Sequence, residues 1–276
     1  MKMSRRHSAL THIILIGFAL WSVIPVIWVV LTSFKTEGEV FSTTLQILPQ
    51  DPTLDNYREL LSRGDFLTWA RNSIFVAVIT TVVGVFLAST CAYALSRFRF
   101  RGRSASLYIF LVAQMFPGVI LLVGLYQIFN NLGLLDTPWA LVLSYSTIAI
   151  PFCILMLKGF FDTIPYELEE AARVDGVGVF GAFWRIVVPL SVPGIAVTAF
   201  YSFITAWNEF LFAKTFLTSR EQLTLPVGTA TFVDAFNQPW ALLSAASVLI
   251  SIPVVIFFYM AQRYLISGLT TGGVKG

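Results

Sequence analysis

The chain of 276 residues predicts an all-helical integral membrane fold with six transmembrane helices, and three observations carry that expectation. Six windows, at 7–34, 72–96, 104–135, 137–157, 186–208 and 235–262, contain no Asp, Glu, Lys or Arg. Each is long enough for a spanning helix, which needs about 20 residues to cross a hydrocarbon core roughly 30 Å thick. Only 12% of residues are charged and 57% are hydrophobic, with a mean hydropathy of +0.78. A soluble domain carries about 25% charge, so an aqueous globule is excluded. Finally, residues 73–95 (SIFVAVITTVVGVFLASTCAYAL) are continuously apolar. A membrane barrel strand would alternate over about ten residues, and hydrocarbon admits only helices or closed barrels.

The elements follow in order within one domain, 1–276. The first span, about 9–32, follows Lys2, Arg5 and Arg6. It outruns the roughly 7–15-residue core of a secretory signal and has no small-x-small cleavage site, so it reads as retained. An outer segment, 35–71, carries six acids together with Pro49 and Pro52. Spans at about 73–96 and 105–129 flank a loop holding Arg97, Arg99, Arg101 and Arg103. The remaining spans are expected at about 138–158, 188–211 and 240–264. A loop at 162–189 precedes the fifth span, and an outer loop at 214–239 precedes the sixth. Alternating loops carry twelve basic residues on one side and six on the other. Since basic loops stay inside, both termini are expected in the cytoplasm. The net charge of +3 then reports topology and requires no nucleic-acid partner.

Pro25, Pro117, Pro151, Pro193 and Pro253 fall within the spans. Broken helices line substrate paths in transporters, yet proline is also ordinary in membrane helices. Both readings stand at Pro117, beside Gln114 and Gly118. Cys91 and Cys153 lie inside spans and read as small apolar side chains, with no disulfide or metal implied.

The loop between the fourth and fifth spans is the informative one. Pro165, the acids Glu167, Glu169 and Glu170, and Gly176 are helix start and stop signals. Glu169 and Arg173 are spaced to pair at i, i+4. At about 100° per residue, Ile164, Leu168, Ala171, Ala172 and Asp175 share one face, and Tyr166, Glu170 and Arg173 the other. Such a helix suits a partner's groove, with alanines allowing close approach; a solvated surface helix is the alternative.

Glu170-Ala171-Ala172, then Gly176, then Ile186-Val187-Val188-Pro189 resembles the EAA motif of ATP-binding-cassette importer permeases, with Val188 where that pattern has leucine. The run from Tyr93 to Gly102, Met115-Phe116-Pro117, Trp207-Asn208-Glu209-Phe210 and the tail from Gly268 to Gly276 resemble the carbohydrate-uptake, MalG-like branch. The resemblance covers essentially the whole chain and implies a type I importer permease fold. It implies that Glu170, Ala171, Ala172, Arg173, Asp175 and Gly176 couple to a separate cytoplasmic ATPase. It further implies a second permease subunit in a heterodimer, two ATP-binding subunits that use ATP and Mg, and an extracytoplasmic sugar-binding protein. The setting implied is the inner membrane of a bacterial or archaeal cell.

Gly176-Val177-Gly178-Val179-Phe180-Gly181 matches G-x-G-x-x-G formally, but a dinucleotide site requires a preceding strand and a βαβ unit. Walker A is absent, so the chain is expected to hydrolyse no ATP and to carry no cofactor of its own. Glu209 borders the fifth span, roughly 28 Å along the helix from Leu190. It reads either as an interfacial carboxylate beside Asn208, or with Asn208 as a lining of the outer vestibule that meets sugar hydroxyls. Gln114, Tyr145, Ser146 and Tyr201 are pathway candidates at greater depth, although polar side chains also join helices. An ion-driven secondary transporter would place ionisable groups at mid-membrane, where the six windows have none. A membrane enzyme lacks acid, base or metal ligands for the same reason. A permease for a non-sugar solute is the nearest alternative.

Overall fold

The computed structural model describes residues 5–44, 46–234 and 238–273, with side chains at 11–44, 46–234 and 238–264. Lys2 and Lys275, which enter the charge asymmetry, and the last three residues of the tail lie outside the described residues. Among the described residues there is no strand.

The chain begins with α1 (Arg5–Ser33), the short α2 (Glu37–Val40) and α3 (Asp55–Ser62). It continues through α4 (Gly64–Arg97), α5 (Arg103–Met115), α6 (Gly118–Asn131) and α7 (Pro138–Asp162). The loop after α7 holds α8 (Glu167–Val174) and α9 (Val179–Ala182), then a π-helical turn at Phe183–Val187 and α10 (Val188–Leu190). Next come α11 (Val192–Asn208), α12 (Leu211–Phe216), α13 (Leu225–Ala230) and α14 (Trp240–Gly273).

Four helices are continuous and apolar enough to span a membrane: Thr11–Ser33, Gly64–Arg97, Pro138–Asp162 and Trp240–Tyr264. The expected third and fifth spans are each bent pairs. Arg103–Met115 and Gly118–Asn131 meet at 99°, and Val179–Leu190 and Val192–Asn208 at 79°. Six spans therefore hold when each bent pair is one span. Pro117 explains the first bend. The residue before a proline is driven out of the helical region, and Phe116 is extended at ψ 123. The second bend falls at Ser191, between Pro189 and Pro193. Pro25, Pro151 and Pro253 stay inside their helices, as membrane helices tolerate when neighbouring groups take up the freed carbonyl.

The chain forms two compact units, Met1–Leu67 with Thr229–Ile252, and Thr68–Gly228 with Pro253–Gly276. In the first unit Asn56 closes the end of α1, donating to the carbonyls of Ser33 (3.0 Å) and Lys35 (2.9 Å). Glu37 accepts from the amides of Ala241 (3.0 Å) and Leu242 (3.4 Å), satisfying donors that the start of α14 leaves open. The apolar window of α1 has no buried residue, with Trp21 and Phe18 among those most exposed. In the second unit α7 is the most enclosed span. Its Cys153, Leu157 and Phe161 form a core with Ala88, Ala92 and Tyr93 of α4 and with Phe183 and Val187 of the π turn. The cysteines are both free, as small side chains among helices should be.

Candidate functional site

The start and stop of α8 are explained residue by residue. Its first turn holds Glu167, Glu169 and Glu170, favourable beside the positive end of the helix dipole. At the other end, the Val177 amide donates to the Ala172 carbonyl (2.9 Å) and the Gly176 amide to the Arg173 carbonyl (3.0 Å). That pair of bonds is a Schellman cap, which requires a left-handed residue after the helix. Gly176 supplies it, at φ +81. Glycine was expected here as a helix stop, and the geometry gives the reason.

One side of α8 is open. Glu167, Glu170, Ala171 and Asp175 are exposed, as are Leu168 and Val174, the latter at 87%. Phe180 of α9 is 73% exposed on the same loop. Ala172 and Arg173 are half-buried. The open surface is thus a mixed strip, small at Ala171 and apolar at Leu168 and Val174, with acids on its N-terminal turn.

The expected Glu169–Arg173 pair does not form. Glu169 instead turns inward and is fully buried. Its carboxylate accepts from Arg97 Nε at 2.5 Å and from the Tyr93 hydroxyl at 2.7 Å, both from the end of α4. Arg97 also donates to the Ile164 carbonyl and the Ser96 hydroxyl, each at 3.1 Å. Arg173 donates to the Tyr166 hydroxyl at 3.0 Å and stacks over that ring at 5.4 Å. The Tyr166 hydrogen bond raises the Arg173 pKa, so this guanidinium stays charged throughout. A buried carboxylate persists only with its charge and lone pairs matched, which Arg97 and Tyr93 do. Sequence spacing within the loop could not reveal this, because the partners lie on another helix. The one available signal was Tyr93 and Arg97 at i, i+4 at the end of an apolar span.

The pathway candidates have different surroundings. Tyr145 is 1% exposed and donates to Glu209 at 2.7 Å. Glu209 also accepts from the amides of Phe212 (2.9 Å) and Ala213 (3.2 Å), capping α12. Three of a carboxylate's roughly four acceptor positions are therefore taken by the protein itself. Ser146 donates to the Val142 carbonyl within its own helix, at 2.7 Å. Tyr201 is half-buried, its ring 4.0 Å from that of Phe152. Gln114 and Asn208 are exposed, Gln114 just before the Pro117 bend. Tyr145 and Glu209 are thus joined by a hydrogen bond.

Two further segments are fastened within the second unit. Asp136, at φ +59, accepts from the amides of Thr218 (2.8 Å) and Ser219 (2.9 Å) and from the Ser219 hydroxyl. Partial burial works to raise its pKa, but these bonds outweigh it and hold the carboxyl below its usual value. Residues 220–225 are strapped to α4 through Trp69, Asn72 and Ser73. Among the described residues no group of three His, Cys, Asp or Glu could hold a metal. The G-x-G-x-x-G match follows the helix α8, with no strand before it.

The chain is similar to the inner membrane ABC transporter permease protein YcjP of Escherichia coli (strain K12), at 41% identity covering 94% of this chain and 95% of that protein. It is 39% identical to the sulfoquinovosyl glycerol transport system permease protein SmoH of Agrobacterium fabrum (strain C58 / ATCC 33970), over 91% of this chain and 88% of that protein. Its fold matches a chain of a bacterial ABC transporter involved in the import of the acidic polysaccharide alginate, with a TM-score of 0.84 and 26% identity. That match covers 96% of this chain and 99% of the other. Residues 80–271 match the family model described as the binding-protein-dependent transport system inner membrane component, and this chain belongs to that family.

Proposed function

We propose that the chain is one permease subunit of an ATP-driven carbohydrate importer, forming half of the translocation pathway. The observation that carries this reading is the exposed strip of α8 ending in the Gly176 cap, outside every apolar span, on a member of the binding-protein-dependent transport family. SmoH is named for sulfoquinovosyl glycerol and the solved neighbour for alginate, both sugar-based solutes. The partners are a second permease subunit, two ATP-binding subunits that use ATP and Mg, and an extracytoplasmic sugar-binding protein. Both termini lie in the cytoplasm, a sidedness supported by the twelve-to-six distribution of basic residues. Glu170, Ala171, Ala172, Arg173, Asp175 and Gly176 form the coupling surface, Leu168 and Val174 add apolar contact, and the ATPase groove covers both.

The chain makes and breaks no bonds. ATP binding draws the ATPases together, α8 moves with them, and the helices rock as rigid bodies to open the pathway outward. Asn208 lies where sugar enters, with Glu209 behind it as the cap that holds α12. The test is reconstitution of the complete importer in proteoliposomes with its binding protein outside. Uptake of a cognate sugar should require internal ATP and the binding protein together. Uptake driven by an ion gradient without ATP contradicts the proposal.

A further inference from the structure

We propose that α4 is a transmission rod, joining the ATPase-facing helix α8 at one end to the extracytoplasmic segment 219–228 at the other. The inference rests on the coupling assignment of α8 and adds residues that assignment does not contain: Tyr93, Arg97 and Glu169 at one end, Trp69 and Asn72 at the other.

Both ends of α4 are clamped by groups that are hard to separate. At the inner end, the Glu169 carboxylate is completely enclosed and the Arg97 side chain is only 7% exposed. Two bonds reach that carboxylate from positions i and i+4 of one helix, fixing α8 in both position and rotation. Removing Arg97 or Glu169 alone would strand a buried charge, so the joint does not loosen gradually. Ser96 adds a bond to Asp162 at 2.6 Å, tying the same end of α4 to the end of α7.

At the outer end, Trp69 is fully buried and its indole N–H donates to the Arg220 carbonyl at 2.8 Å. Asn72 donates to the carbonyls of Glu221 (2.7 Å) and Leu223 (3.0 Å), and the Ser73 hydroxyl accepts from the Leu225 amide (2.8 Å). Positions 69, 72 and 73 lie on one helix face, so a single stripe holds the whole strap. Gly228 closes it: a Cβ there would sit 2.2 Å from the Trp69 ring, so the backbone rests directly on the indole.

Between the clamps the helix is well suited to carry displacement. The stretch from Trp69 to Arg97 rises about 42 Å, more than a bilayer core. Of the four continuous spanning helices, α4 alone has no interior proline; α1, α7 and α14 each contain one. The remaining two spans are broken by bends of 99° and 79°. Those helices have prolines or breaks that absorb a movement, and α4 is continuous without proline. A shift of α8 on ATP binding therefore reaches segment 219–228 through α4 with little loss.

The complete importer, reconstituted with its ATPase and binding protein, tests this. A spin label is placed at Glu221→Cys, whose side chain is exposed, with Cys91 and Cys153 replaced by alanine. Addition of a non-hydrolysable ATP analogue to this labelled parent, with both clamps intact, should change the label's spectrum, and an unchanged spectrum in that parent overturns the proposal. The neutral pair Arg97→Gln with Glu169→Gln removes both charges together and avoids a stranded one. It should cut the spectral change at least threefold, and lower sugar transported per ATP by a similar factor, while the ATPase still co-purifies at parental stoichiometry. A full-size change in that variant refutes the rod. Should the double variant fail to assemble, Tyr93→Phe, which deletes one hydroxyl, carries the same test: a reduced change supports the rod and an undiminished one refutes it. A cross-link from Ala171→Cys to the ATPase is measured in parallel. Its absence in the parent removes the coupling assignment itself, whereas its presence with an undiminished label response removes only the rod.

Discussion

Gly176 offers the sharpest single-residue perturbation. Its φ of +81 is forced by the cap that ends α8, and a Cβ built there has no heavy atom within 4 Å. A substitution therefore meets no clash, and its cost is the backbone term alone. For an L-residue with a Cβ, the left-handed region costs about 1–2 kcal/mol. A β-branched residue lies at the upper end, whereas asparagine is among the residues that tolerate the region. About 1.4 kcal/mol is a tenfold change in an equilibrium, so Gly176→Ala should reduce occupancy of the native turn about five- to tenfold, and Gly176→Val more. Gly176→Asn should stay within about threefold of the parent. The assay is binding-protein-stimulated ATP turnover and sugar uptake by the reconstituted importer, at equal membrane insertion of each variant. The expected order is glycine, asparagine, alanine, valine. Equal activity for asparagine and valine, whether both high or both low, would refute the argument that φ sets the effect.

Other outcomes follow from the same geometry. Cysteines at Ser104 and Glu221 should label from opposite faces of intact cells, Glu221→Cys from outside only; labelling of both by an impermeant reagent contradicts the six-span topology. Glu209→Gln should lower the melting temperature of the purified complex, since it weakens charge-assisted bonds worth about 1.5–3 kcal/mol each. Asn208→Ala should leave stability unchanged and slow uptake by more than about twofold, as loss of a sugar hydrogen bond worth about 0.5–1.5 kcal/mol requires; unchanged uptake contradicts the pathway role of Asn208. Gly228→Ala forces the Trp69 ring to move and should destabilise the complex by about 1–3 kcal/mol, an overpacking cost read by thermal unfolding. Asp136→Asn keeps a residue that tolerates positive φ but removes the charge. Because the folded carboxyl titrates below its unfolded value, its contribution is present above about pH 4 and is lost as pH falls through the folded pKa. The stability gap between parent and Asp136→Asn should therefore close on acidification, and a gap that widens contradicts the sign.

Composition made the spans legible because desolvation of charge is so costly that a charge-free window of helix length has few other uses. The six expected spans follow from that, two of them as bent pairs, and the break at Pro117 fits proline's sterics, one of the two readings open there. The bend at Ser191 did not follow, because hydropathy counts residues and carries no direction, and the π turn at Phe183–Val187 before it has no compositional mark. The coupling helix was legible from local signals: acids at its start, alanines inside, glycine at its stop. Its inward face was not, since Glu169 had an obvious local partner in Arg173 and chose Arg97 from 72 residues away. The same holds for Glu209. Its place at the end of a span was readable, but its bond to Tyr145, 64 residues distant, depends on how α7 and α11 pack. Paired polar groups on separate helices are a tertiary property, and the local pattern around each one is silent about the other.

The most direct test of the coupling account is to place a photo-crosslinking residue along α8 in the intact importer. Leu168, Ala171 and Val174 are exposed on the docking strip, and Asn208 is exposed at the far end of α11. Illumination should join the ATPase subunit to positions 168, 171 and 174, with a yield that changes when ATP is added, and should give no ATPase adduct from position 208. No adduct from any of the three α8 positions in an assembled, transport-competent complex would contradict the account.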